Sequence, residues 1–257
     1  MLLNTAVILL ASSSALAIPT EFTENQDLKR ELGGISLWRG KVGPKVDDVM
    51  QHDMGMDWLY CVASWLAESE QHQKKLIDRL PGVSLEQGGQ TISDTNVELW
   101  NIKENTWKTY EGRKYSEVMV GSNGNGSMAY DDLWWPGALG DVARVIADEE
   151  GYAPEDYIIP TGINADVGMK MLLGEDGASK KLEGDDDQIR DELHQVLDGA
   201  NTSPVCPWRN NLWITVLSTE EGTNIETYHS DKHEYKIESF DDVYQHTTWY
   251  AKLEESL

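Results

Sequence analysis

Residues 51–70 read QHDMGMDWLYCVASWLAESE. From Asp57 onward, Trp58, Tyr60, Cys61, Ala63, Trp65 and Leu66 form a broad apolar band at helical spacing, which predicts a helix over 57–70. A second helix is predicted from Gln71 to Leu80, stopped by Pro81-Gly82. Downstream, 96–102 (NVELWNI) and 106–112 (TWKTYEG) flank Lys103-Glu104-Asn105 and read as a hairpin, with Tyr115–Val120 as a third strand. The loop Gly121–Ser127 carries three Gly and two Asn. Ala138–Glu149 repeats apolar residues every three or four positions, as a helix does, and Asn164–Leu173 reads as a short helix before the turn Gly174–Gly177. Lys180–Asp187 reads as a charged, solvated linker whose acidic run lacks EF-hand spacing. Gln188–Leu197 is amphipathic, and from Asn211 to about Lys252 the chain reads as strands. Upstream, Ile18 to Lys45 is a polar entry with turns at Gly33-Gly34 and Gly43-Pro44. Helices early and strands late predict an α+β chain, with a helical lobe over 18–177 and a β lobe over 178–257.

The chain has 257 residues, enough for one large domain or two lobes sharing a core. It carries 45 acidic and 21 basic side chains, a formal charge of −24. That balance argues against a nucleic-acid backbone as partner, since no basic surface would release its counterions. It also disfavours docking on anionic lipid. Ten Trp against two Phe predicts a Trp-rich core.

Residues 1–17, MLLNTAVILLASSSALA, read as a secretory signal peptide: an apolar run followed by the small-x-small signal Ala15-Leu16-Ala17. The run is too short to span a bilayer, which takes about 20 apolar residues. The alternative is a buried N-terminal helix. A secreted chain beginning at Ile18 is the expectation, and the sequons Asn125-Gly126-Ser127 and Asn201-Thr202-Ser203 fit a glycoprotein. Two cysteines, Cys61 and Cys206, are an even count in an oxidising compartment and predict one disulfide; two reduced buried thiols are the alternative.

Six His are scattered along the chain without HExxH or CxxC zinc spacing, and neither GxSxG nor GxxxxGK[ST] occurs. His229 and His233 are four apart in a β-like stretch, where that spacing makes no helical ligand pair. Cys61 with the distant His233 is the one candidate nucleophile–base pair visible without a family.

The run Val49-Met50-Gln51-His52-Asp53-Met54-Gly55-Met56-Asp57-Trp58-Leu59 resembles the nucleophile segment of calpain-type cysteine peptidases. Gln51, Gly55 and Trp58 fall on that family's Gln, Gly and Trp without a gap. Leu133-Trp134-Trp135-Pro136 with Gly151-Tyr152, and Asp231 to Ile237, resemble its Leu-Trp-Pro helix, its Gly-x-Tyr stretch and the strand bearing its catalytic His. The resemblance runs from about Gly43 to Ile237. It implies a papain-like core with an active site between the lobes, Gln51 at the oxyanion position and His233 as general base. The departures are at the chemistry: Asp57 stands at the nucleophile position and Thr247 where an Asn is expected, and the chain ends before several strands of the family's barrel. Gly43 and Asp48 match two positions of a family calcium loop, whose later acid falls on Gly140, beside Asp141.

A carboxylate at the helix N-terminus copies the charge of a thiolate but not its reactivity. Its attack on an amide would form a mixed anhydride while expelling an amine, so turnover is expected to be lost. Asp57 is also a favoured N-cap residue, and the two readings are compatible. Cys61 lies one turn on, about 6 Å along the axis, too far to replace it when reacting atoms must approach within about 3–3.5 Å. The expectation is a secreted, calpain-like pseudo-enzyme that binds a peptide or protein in the inter-lobe cleft, with no cofactor other than calcium. The alternatives are an active hydrolase rewired around His233 with Cys61 or Asp57, and a surface interaction protein whose fold is incidental.

Overall fold

The computed structural model describes residues 35–51, 55–115, 118, 133–149, 164–220 and 223–254. The signal-like segment 1–17, the Gly-rich loop with the Asn125 sequon, His52, Asp53 and Gly151-Tyr152 lie outside the described residues.

The organising element is helix α1, Asp57–Glu68, in which every residue from Asp57 to Ala67 is buried. A helix apolar on nearly all sides has no solvent face to offer and becomes the centre of the fold. Ser69 ends it and caps α2, Glu70–Ile77, its hydroxyl accepting the His72 N–H. After the one-turn α3, Leu85–Gly88, the short β2, Thr91–Ile92, pairs with β1, Ile35–Ser36, and strands β3, Asp94–Asn101, and β4, Thr106–Lys114, form the expected hairpin, with Asn105 at positive φ in its turn. Helices α4, Trp135–Glu149, and α5, Ala165–Leu173, then pack on α1. The α5 approach is close: a Cβ on Gly168 would lie 2.4 Å from the Trp58 carbonyl oxygen. Tyr115 and Val118 are helical, which corrects the strand expected there.

The other side of α1 rests on one antiparallel sheet. Its strands are β5 (Gly177–Lys181), β6 (Val205–Arg209), β7 (Leu212–Trp213), β8 (Thr215–Glu220), β9 (Asn224–His229), β10 (Glu234–Ser239) and β11 (Thr247–Leu253). Their order is β10-β9-β8-β6-β11-β5, with β7 paired to β6. Side chains alternate between the faces. Cys206, Leu217, Tyr228 and Ala251 join the cluster around α1. Val205, Val216, Ile225 and Tyr250 face Leu193, Val196 and Leu197 of α6, Asp186–Asp198, and Val243 of α7, Phe240–His246. The chain is thus α+β, with helices on both faces of the sheet. The sheet curls strongly enough that Arg209 on β6 reaches over β8 and β9 to make two hydrogen bonds, 2.8 and 2.9 Å, to Glu238 on β10.

Two other expectations are corrected. The supposed linker begins with β5, which pairs with β11 from Gly177↔Leu253 to Lys181↔Trp249. Its acidic run is the start of α6: Asp185 accepts the Gln188 N–H, and the two acids after it favour the helix N-terminus. The stretch expected to be a strand from Val243 starts as helix α7, because Ser239 accepts the Asp242 N–H and caps it.

Cys61 and Cys206 are disulfide-bonded, both 1% exposed, tying α1 to β6 across 145 residues. The Trp residues do form core: Trp38, Trp58, Trp134 and Trp135 are fully buried, and Trp65 nearly so. Their indole N–H groups donate to Leu85 O, Gly55 O, Ile35 O, Asp48 Oδ2 and Ala200 O, respectively, which lets the polar end of each ring enter the interior. Among the described residues no helix is long and apolar enough to cross a membrane.

Candidate functional site at the N-terminus of the central helix

Met56 is the N-cap residue of α1, with no side-chain capping bond, so Asp57 is the first helical residue rather than the cap expected from its type. Its carboxylate nevertheless turns back onto the helix start. Asp57 Oδ2 accepts the Trp213 backbone N–H of β7 at 2.7 Å, and the N–H groups of Asp57 and Trp58 also favour its anion. Burial opposes them and prevails, with the Asp231 charge adding to it: the carboxyl is pushed up from 3.8 to about 6. Asp57 is 6% exposed. Position 57 is therefore a desolvated carboxyl clamped between the helix N-terminus and the sheet backbone.

Gln51 comes to the turn after β9. Its backbone N–H donates to Ser230 O at 2.9 Å, and its Oε1 accepts from Ser230 Oγ at 3.2 Å. Asp231, next in that turn, acts electrostatically on Asp57 and buries one carboxylate oxygen that has no hydrogen-bond partner among the described residues. The turn thus links the neighbourhoods of Gln51 and Asp57, at the end of the helix that the sequence singles out. Trp213, Ser230 and Asp231 have no signal in the sequence. Trp213 acts through its backbone N–H, and the other two are placed by a turn.

His233 lies in the same turn at φ +53°, and its Nε2 is 2.6 Å from the Asp47 carbonyl oxygen. A carbonyl only accepts, so Nε2 carries a proton and donates it there, which leaves Nδ1 as the basic nitrogen of a neutral ring. Thr247 starts β11, and its hydroxyl donates to Val243 O at 2.7 Å in the last turn of α7. It holds a helix end rather than an imidazole. Cys61 is bonded to Cys206, so it offers no thiol for the rewired-hydrolase alternative.

At the calcium-loop positions the protein's own groups engage part of the lining. Asp48 is 1% exposed and its Oδ2 accepts the Trp135 indole N–H at 2.9 Å and the Lys45 N–H at 2.8 Å. Burial, outweighing these bonds, pushes its carboxyl up to about 6, and its Oδ1 is buried without a hydrogen-bond partner among the described residues. Gly43, at φ +78°, packs beside Leu85 and Gln73. Asp141 is paired with Arg113, and a Cβ on Gly140 would meet the Tyr60 hydroxyl at 2.6 Å. Among the described residues no group of three or more His, Cys, Asp or Glu is arranged to hold a metal ion.

A second polar cluster lies inside the curl of the sheet. Arg209 is bidentate to Glu238, which also accepts from Thr227 Oγ1 at 2.7 Å and has His229 Nε2 at 3.5 Å. Burial works to raise the Glu238 carboxyl, but bonds from His229, Arg209 and Thr227 hold it far below the usual carboxylate range. Asn201, of the second sequon, accepts the Thr219 N–H and donates to Thr219 O, bracing β8 from an exposed position. No family model matches the chain, and no curated protein matches it.

Proposed function

We propose that the chain is a secreted, catalytically inactive homologue of calpain-type cysteine peptidases that acts by binding a peptide or protein. The observation that carries this reading is the side chain at position 57: a buried carboxyl, bonded to Trp213 N–H, where the resemblance calls for a thiolate. A peptidase nucleophile must be deprotonated and reachable, and its tetrahedral adduct must expel the protonated amine rather than the nucleophile itself. Asp57 is buried, and its acyl adduct would be an anhydride, so the reaction lies uphill at both the approach and the expulsion.

A central helix whose N-terminus abuts a curled antiparallel sheet supports the papain-like reading. The buried Cys61–Cys206 bond supports an oxidising compartment, and with it secretion. The same bond weighs against the rewired hydrolase. The test is intact mass after incubation with a peptide bearing an acyloxymethyl ketone, which traps activated nucleophiles. The wild-type mass should not change. An adduct mapped to Asp57, or to Cys61 without prior reduction, would overturn the reading.

A further inference from the structure

We propose that the outer edge of β10, centred on Tyr235 and Ile237, docks an extended peptide segment whose every second side chain alternates between basic and apolar. This rests on the reading that the chain acts by binding, and it names where and what. Among the described residues β10 is the terminal strand of the sheet, bonded to β9 alone. A free strand edge presents unpaired N–H and C=O groups that a further strand can match. Soluble edges are commonly blunted by charge on every exposed position, but here Ile237 is 78% and Tyr235 45% exposed.

The surroundings of that apolar pair are acidic. Ile237 stands opposite Glu226 and Tyr235 opposite Tyr228, so all four share one sheet face. The charges of Asp47, Glu68 and Glu226 all act on the Tyr235 hydroxyl, which burial and these anions together push well above its ordinary value. Glu68, the last residue of α1, feels Glu226 as a like charge and, more weakly, the opposite charge of Lys45. Neither glutamate has a cation within ion-pair distance among the described residues; Glu226 accepts a bond from Ser218 Oγ instead. Unpaired like charges around an apolar strip are costly alone and are relieved by a cationic ligand. A chain at −24 steers such a ligand in and repels an acidic one or a second copy. A strand laid along β10 directs every second side chain to this face, so a segment in which those positions alternate between basic and apolar brings basic residues to Glu68 and Glu226 while apolar ones cover Ile237.

The experiment is fluorescence anisotropy with a labelled eight-residue peptide repeating Lys-Ser-Val-Ser (the Lys/Val peptide), beside versions with Glu in place of Lys (Glu/Val) and Gly in place of Val (Lys/Gly), with mass spectrometry of the recovered peptide. The Lys/Val peptide should bind, the other two at least tenfold more weakly. Ile237→Lys, at an exposed position and with an unchanged urea midpoint, should weaken binding at least tenfold. Glu68→Gln/Glu226→Gln should weaken it and flatten its salt dependence. No binding of the Lys/Val peptide, equal binding of the Lys/Gly peptide, or no effect of Ile237→Lys would overturn the docking site. Cleavage of the peptide would instead sink the reading of inactivity, leaving the docking site to be decided by the Ile237→Lys comparison.

Discussion

Asp57→Asn should make the protein more stable at neutral pH. The Asp57 carboxyl is raised from 3.8 to about 6 in the fold, chiefly by burial. At about 1.4 kcal/mol per unit, keeping it ionised costs the folded state about 3 kcal/mol relative to the unfolded chain. Because the folded value lies above the unfolded one, that cost is absent below pH 4, grows between 4 and 6, and is complete above 6. Asn keeps an acceptor for the Trp213 N–H and carries no charge. Urea unfolding should therefore show Asp57→Asn gaining up to about 3 kcal/mol at pH 7.5 and close to nothing at pH 4. Asp57→Ala supplies the contrast, since it leaves the Trp213 N–H without its partner and should lose about 1–3 kcal/mol at pH 4. A gain for Asn that is the same at both pH values, or a loss at pH 7.5, would show that Asp57 is not a desolvated carboxylate bonded to Trp213.

Replacing both cysteines with Ala should cost about 5 kcal/mol in urea unfolding, the chain-entropy value for a loop closed across 145 residues. Denatured, unreduced protein should meanwhile show no labelled thiol and reduced protein two. Glu238→Gln should cost about 3–5 kcal/mol, because Arg209 stays charged and buried without its partner. The depressed Glu238 carboxyl contributes stability above pH 4.5 that is lost as pH falls, so the variant's stability should depend less on pH below that point. Gly168→Ala, which at an open helical site would gain about 1 kcal/mol, should instead lose about 1–3 kcal/mol by thermal or urea unfolding, because α5 would have to back away from the Trp58 carbonyl.

Helix α1 is legible in the sequence because its apolar band is wide, and so is the hairpin around Lys103-Glu104-Asn105, because a turn separates two alternating runs. The Cys61–Cys206 bond follows from parity and compartment. Strand β5 is not legible: GASKK is short, small and charged, and it is a strand only because β11 pairs with it. Helix α7 is masked by the alternation in VYQHTTWY, while the deciding signal is the Ser239–Asp242 cap just before it. At the candidate site the resemblance points to position 57, and the structure places it at the start of the central helix. The partner of Asp57 is a backbone N–H 156 residues away, which no side-chain pattern encodes. His233 reads as a base from its neighbours in sequence, while the positive φ that directs its Nε2 to the Asp47 carbonyl has no sequence signal.

The central claim is that a clamped carboxylate has replaced a nucleophile and ended peptide hydrolysis. The most direct measurement is the release of new amino termini from denatured casein by purified protein, with calcium and with chelator, followed to long incubation. No release above a protein-free control is the predicted result in either condition. Release that scales with protein concentration and disappears in Asp57→Ala or His233→Ala would contradict it.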